Sequence, residues 1–96
     1  MPKAYVIDDM DITDHERYAA YRQLAAPAVA AGGGRFLARG GVTEVFEGDR
    51  EPHRTIILEF PDMAAARAWY DSPAYREARN VRDGAALASF IAVEGV

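Results

Sequence analysis

Apolar positions along the chain switch between two rhythms, and each switch marks an element. From Lys3 to Met10 the run Tyr5-Val6-Ile7 sends apolar side chains to both sides of an extended segment, which predicts a first strand covered on both faces. Tyr18, Tyr21, Leu24 or Ala25, and Ala28 then fall on one helical stripe. Thr13 and Glu16 have the capping-box spacing for its start, and Pro27 is expected to kink or end the helix. Gly32-Gly33-Gly34 turns the chain into a second strand, with Arg35, Leu37 and Arg39 on one face and Phe36 and Ala38 on the other. Gly40-Gly41 permits a bend or bulge, beyond which Val42 to Phe46 is expected to extend that strand. Gly48 to Pro52 reads as a polar turn.

The strongest strand signal is Thr55-Ile56-Ile57-Leu58-Glu59-Phe60, apolar on both faces until Glu59, and a central position follows from that. Asp62 is placed to cap a helix from Met63 to Tyr70, and Ser72-Pro73 restarts it with serine as cap and proline at the first helical position. In the restarted segment Ala74, Ala78, Val81 and Ala85 form a core stripe, bordered by a second stripe of Tyr75, Arg79 and Arg82. Leu87 to Glu94 alternates as a last strand.

The order strand, helix, strand, strand, helix, strand is that of an α+β, ferredoxin-like βαββαβ domain, with a four-stranded antiparallel sheet and helices on one face. One domain over residues 1–96 is expected, since so short a chain cannot hold two cores. The uncovered face keeps isoleucine, leucine and phenylalanine, and half of all residues are apolar. A second copy packed sheet to sheet, a homodimer, is therefore expected.

Charge narrows the partners. A net charge of −4 argues against nucleic acid and anionic membrane, both of which demand clustered positive charge. Acids at Asp8 and Asp9 interrupt what a secretory leader would need to keep apolar, and no apolar run is long enough to cross a bilayer, so a soluble cytoplasmic protein is expected. The chain has no cysteine, which removes disulfide and thiol chemistry. His15, at a helix start, and His53, in a polar turn, form no ligand pair, so no metal is expected. The glycine triplet lacks the Lys-Ser/Thr that follows in a phosphate loop.

Two groups remain that could carry chemistry. Glu59, late in an apolar strand, is a candidate proton donor or acceptor; the competing reading is an ion pair with Arg39 or Arg82. Asp8, on the Val6 face, is a weaker candidate of the same kind. Tyr75, Arg79 and Arg82, together with Arg39, could form an anion-binding wall, against the alternative of a solvated helix face. Trp69 and Tyr70 either line a pocket or fill the core.

The segments Gly33 to Gly41, Glu59-Phe60-Pro61, Ala68-Trp69-Tyr70, Ser72-Pro73-Ala74-Tyr75, Arg82 and Val93-Glu94-Gly95 resemble the domain-of-unknown-function family numbered 1330 over essentially the whole chain. The resemblance implies a dimeric α+β barrel. That superfamily includes cofactor-independent monooxygenases of aromatic polyketides, muconolactone isomerase-like enzymes, and dye-decolourising or haem-degrading relatives. Their ligands sit between sheet and helices. It also implies that Arg39, Glu59, Trp69, Ser72, Tyr75 and Arg82 line a cleft, and it supplies no catalytic role for any of them. No histidine falls in those motifs, which speaks against haem, and no cofactor is expected. The function expected is binding of a small carboxylated or aromatic metabolite, with cofactor-independent turnover through Glu59. The alternative is a non-catalytic ligand-binding or structural dimerisation module.

Overall fold

The computed structural model describes residues 2–96; Met1, which opens the stretch read for a leader, lies outside them. The elements are β1 (Ala4–Ile12), α1 (His15–Ala31), β2 (Arg35–Arg39), β3 (Arg54–Phe60), α2 (Met63–Asp71), α3 (Pro73–Arg82) and β4 (Ala86–Glu94). The strands pair antiparallel in the order β2-β3-β1-β4, and all three helices cover one face. A shortest dimension of 16 Å leaves room for one sheet and one helical layer. The ferredoxin-like arrangement expected from the order of elements is the one observed.

Alternation along β1 sends Ala4, Val6, Asp8 and Met10 under the helices and Tyr5, Ile7, Asp9 and Asp11 to the open face. Ile56, Leu58 and Phe60 of β3 continue the covered face. α1 contributes Tyr18, Tyr21, Ala25, Ala28 and Val29 from above, and α2 and α3 contribute Ala66, Trp69, Tyr75 and Ala78. Tyr75 is fully buried, so of the stripe assigned to the border of the core this residue lies in the centre, while Arg79 and Arg82 stay half-buried at the border. Ala74, assigned to the core, is exposed.

Three local expectations are corrected. The cap of α1 is Asp14, whose carboxylate accepts from the Arg17 N–H, while the Thr13 hydroxyl is turned away to the Gly84 carbonyl at 3.4 Å. α1 runs through Pro27 to Ala31, so of the two outcomes expected the proline does not end the helix. Pro27 and Gln23, whose carbonyl loses its partner, are both exposed, so water can satisfy what the ring removes. Val42 to Phe46 is not a strand; the chain leaves the sheet after Arg39, and Gly41 to Glu51 is exposed throughout, with Val42 100% and Phe46 94% accessible. His53 ends that segment tied to β1, its backbone N–H and ring Nδ1 lying 2.8 and 2.9 Å from the Asp9 carboxylate.

β2 carries a bulge. Its register passes from Phe36 opposite Leu58 to Ala38 opposite Ile57, which breaks the alternation read from the sequence and sets Arg39 opposite Ile56. The Arg39 guanidinium consequently stands 4.1 Å over the Phe36 ring.

The open face shows Leu37, Leu87, Ile91 and Val93 to solvent. No helix among the described residues is long and apolar enough to cross a membrane.

The turn from α1 into β2 has no spare room. A Cβ on Gly34 would lie 2.5 Å from the Phe60 ring. Gly34→Ala is expected to lower stability by about 1–3 kcal/mol, the scale of overpacking a core. Urea unfolding measures it, and an unchanged midpoint would contradict the packing described.

Candidate functional site

The central strand carries an acid where the core needs an apolar residue. Asp8 is 3% exposed, faces the helices, and its Oδ1 has no hydrogen-bond partner. Burial pushes its carboxyl up to about 7, against the pull of first Arg82 and then Arg54. No ion pair is formed by Asp8 among the described residues. Above it the Tyr21 and Tyr75 hydroxyls are 2.7 Å apart, joining α1 to α3. Arg82 Nη1 donates to the Tyr75 hydroxyl at 3.3 Å, and its guanidinium lies 5.1 Å from the Tyr21 ring centre and 5.0 Å from that of Phe90. Burial raises both tyrosines above the ordinary phenol range, so they act as neutral hydrogen-bonding groups. Tyr18 is buried nearby, its hydroxyl without a partner of good geometry; burial raises it above the ordinary phenol range, against the pull of the Arg54 guanidinium.

Two hollows adjoin along β4, the sheet edge, and share Tyr70. The first, about 340 Å³, is bounded by Val6, Met63, Ala66, Trp69, Tyr70 and Phe90, with Arg67, Asp71, Ile91 and Ala92. The second, also about 340 Å³, is bounded by Tyr70, Arg79, Asn80, Arg82, Asp83, Ala86 and Ala88. Ala86, Ala88, Phe90 and Ala92 alternate along one strand, so the hollows follow one another as a groove with an aromatic end and a cationic end. Arg79 reaches the groove with Nη2 on the Tyr70 carbonyl at 3.1 Å and its guanidinium 4.2 Å over the Tyr70 ring. Neither Arg79 nor Arg82 has a carboxylate partner among the described residues. Both keep N–H donors for an incoming anion.

The six residues singled out from the sequence do not share one cleft. Tyr75 and Arg82 meet as described. Trp69 is buried, its ring centre 4.3 Å from that of Tyr75 and 5.1 Å from that of Phe60, and it bounds the aromatic hollow. Ser72 caps α3: its hydroxyl accepts from the Tyr75 N–H and donates to the Trp69 carbonyl, so its work is to set the angle between α2 and α3. Arg39 sits on β2, the opposite edge from β4 and roughly 14 Å away at three strand spacings, which removes it from the cationic wall.

Glu59 lies on the open face, its Oε1 2.8 Å from Arg35 Nε and 3.5 Å from Lys3 Nζ. Partial burial works against its ionisation, but the Arg35 hydrogen bond and charge outweigh that and hold the carboxyl below its usual range. The ion-pair reading of Glu59 is the one the geometry matches, with Arg35 in place of Arg39 or Arg82. The acid among the helix-side aromatics is Asp8, the weaker of the two candidates read from the sequence, which alternation with Val6 and Met10 places on the covered face. Among the described residues no cluster of three or more His, Cys, Asp or Glu side chains could hold a metal ion.

Asp8 binds its proton more tightly in the folded chain than its ordinary value of 3.8. Between that pH and about 7 the unfolded chain ionises first, so stability falls as pH rises through the window and levels off above it. Asp8→Asn removes the effect. The difference in unfolding free energy between variant and wild type is expected to grow by on the order of a few kcal/mol from pH 4 to pH 8, read by denaturant titration. A constant difference would contradict a buried, unpaired carboxyl.

Comparison with known proteins follows the fold. A protein of unknown function from Rhodopseudomonas palustris has a TM-score of 0.79 at 24% identity, covering 99% of this chain and 83% of its own. A dimeric ferredoxin-like protein of unknown function from Jannaschia sp. CCS1 has a TM-score of 0.71 at 16% identity, with 97% and 99% covered. SnoaB, a cofactor-independent oxygenase from Streptomyces nogalater, has a TM-score of 0.66 at 11% identity, with 100% and 95% covered. No curated protein matches the chain. The model for the domain of unknown function DUF1330 matches residues 3–96, and the chain belongs to that family.

Proposed function

We propose that this protein is a homodimer in which each chain binds a small aromatic carboxylic acid in the groove beneath α2 and α3. The observation that carries the reading is the pairing, in one groove, of an aromatic hollow at Trp69 and Phe90 with two guanidinium groups that lack carboxylate partners. A ring fits the first end and a carboxylate the second, where fork-shaped donors grip it. Volumes near 340 Å³ for each hollow suit a ligand of this size. Tyr75 holds Arg82 in place from behind through its hydroxyl. Turnover of the ligand without a cofactor is supported by likeness to the Streptomyces oxygenase, which shares the fold.

The dimer reading rests on the open face. Ile91, Leu87 and Val93 are exposed there, and a second sheet would remove them from water. Two similar structures are described as dimeric proteins of ferredoxin-like fold, from Jannaschia and from Bacteroides fragilis. Sedimentation equilibrium is expected to give twice the 10.5 kDa chain mass, and Ile91→Asp is expected to give the monomer. A monomeric wild type would contradict the assembly.

Thermal unfolding tests the groove. Benzoate or phenylacetate at a hundred times its dissociation constant is expected to stabilise the wild type by about 2.7 kcal/mol, with benzamide far weaker. Arg82→Ala is expected to weaken the carboxylates about tenfold or more, the scale of a charged hydrogen bond. Equal responses from acid and amide, or from wild type and Arg82→Ala, would overturn the anion end; no response at all is what a purely structural dimerisation module gives.

A further inference from the structure

Arg82 faces two ways. Toward the groove it offers free N–H donors; toward the core its charge acts on Asp8, which has no ion-pair partner of its own. The groups facing Asp8 are Arg82 and Tyr75 from α3, Tyr18 and Tyr21 from α1, and Arg54 from β3, with Asp9 beside it in the chain. From β4, its register partner is Phe90, which carries no charge. Two arginines thus serve one buried carboxylate, and only Arg82 also borders the groove.

An anion bound to Arg82 would place a second negative charge on the same cation. Two carboxylates sharing one site cannot both stay ionised cheaply in a medium that screens poorly. Arg54 alone would then remain to oppose the Asp8 charge. Resting on the groove reading above, we infer that the site takes up a weak organic acid together with one proton, the anion settling on Arg82 and the proton on Asp8. The step is a single protonation: solvent supplies H⁺, an Asp8 oxygen accepts it, and the ligand anion and the proton enter together with no net change of charge. Oδ1, buried and without a hydrogen-bond partner, is free to accept it.

This narrows the ligand to monoanions of weak acids, carboxylates above all, and disfavours strong dianions, for which one proton would be insufficient compensation. It also makes binding fall with rising pH. The preference belongs to Asp8, since Tyr21 and Tyr75 are held neutral far above neutrality.

Isothermal titration of benzoate into the protein, in Tris and in HEPES at about pH 8, reads the proton directly, because the two buffers release it with different heats. The expected result is uptake of roughly half to one proton per benzoate, with affinity falling up to about tenfold per pH unit above pH 7. In Asp8→Asn, with folding confirmed by circular dichroism, uptake is expected to vanish. That variant should also bind benzoate up to about tenfold more tightly at pH 8, since no carboxylate competes for Arg82. If the variant does not fold, the carbon-13 titration of the Asp8 carboxyl in wild type is expected to move to higher pH on adding benzoate, and an unmoved titration would refute the coupling. Binding with equal heats in both buffers, once each is corrected for dilution, overturns the proton while leaving the groove. Uptake that persists in Asp8→Asn overturns the assignment to Asp8. Failure of benzoate to bind wild type at any pH removes the groove reading and this inference with it.

Discussion

The hydrogen bond between Tyr21 and Tyr75, 2.7 Å long and buried, is the contact on which the helical layer depends. It joins α1 to α3 above β1, and the fully buried Tyr75 ring then gathers Trp69, Tyr70, Tyr21 and Phe90 around it. A small two-layer domain has little apolar volume to spend, and large aromatic rings fill it with few residues. Their polar tips must still be satisfied, and the phenol pair satisfies itself. Arg82 joins the pair from the groove side, so core packing and the proposed recognition meet at one tyrosine.

Covering one face of the sheet alone shapes everything outside that layer. On the helix side, the price of seating Asp8 in a core position is a carboxyl that resists ionisation. On the open side, Glu59 meets Arg35 and Lys3 and stays ionised. The two acids stand on adjacent strands of the same sheet, and only the face each points to separates their behaviour.

Element order, the restart at Ser72-Pro73 and the central strand through Leu58 were legible because each rests on local rules: period, capping and β-branched content. What the sequence concealed came from tertiary context. Thr13 lost the cap to Asp14, whose carboxylate reaches the Arg17 N–H while the Thr13 hydroxyl turns to the Gly84 carbonyl. Pro27 was tolerated because the carbonyl it orphans faces solvent. One extra residue near Leu37 turned Arg39 away from the face it shares with Arg35 in simple alternation, and no periodicity announces a bulge. Of the wall foreseen on α3, Arg79 and Arg82 do reach a common groove, since positions three apart on a helix are neighbours. The other end of that groove, at Phe90, comes from a strand whose place beside β1 only the sheet order reveals.

The central claim is that an aromatic acid lies along β4 with its carboxylate on Arg79 and Arg82. A crystal structure of the protein grown with 4-iodobenzoate tests it most directly, because anomalous scattering locates the iodine without reference to the rest of the density. The account places the iodine between Trp69 and Phe90 and the carboxylate against the two guanidinium groups. Iodine bound only elsewhere, on the open face or beside α1, with the β4 groove free of ligand, would contradict it.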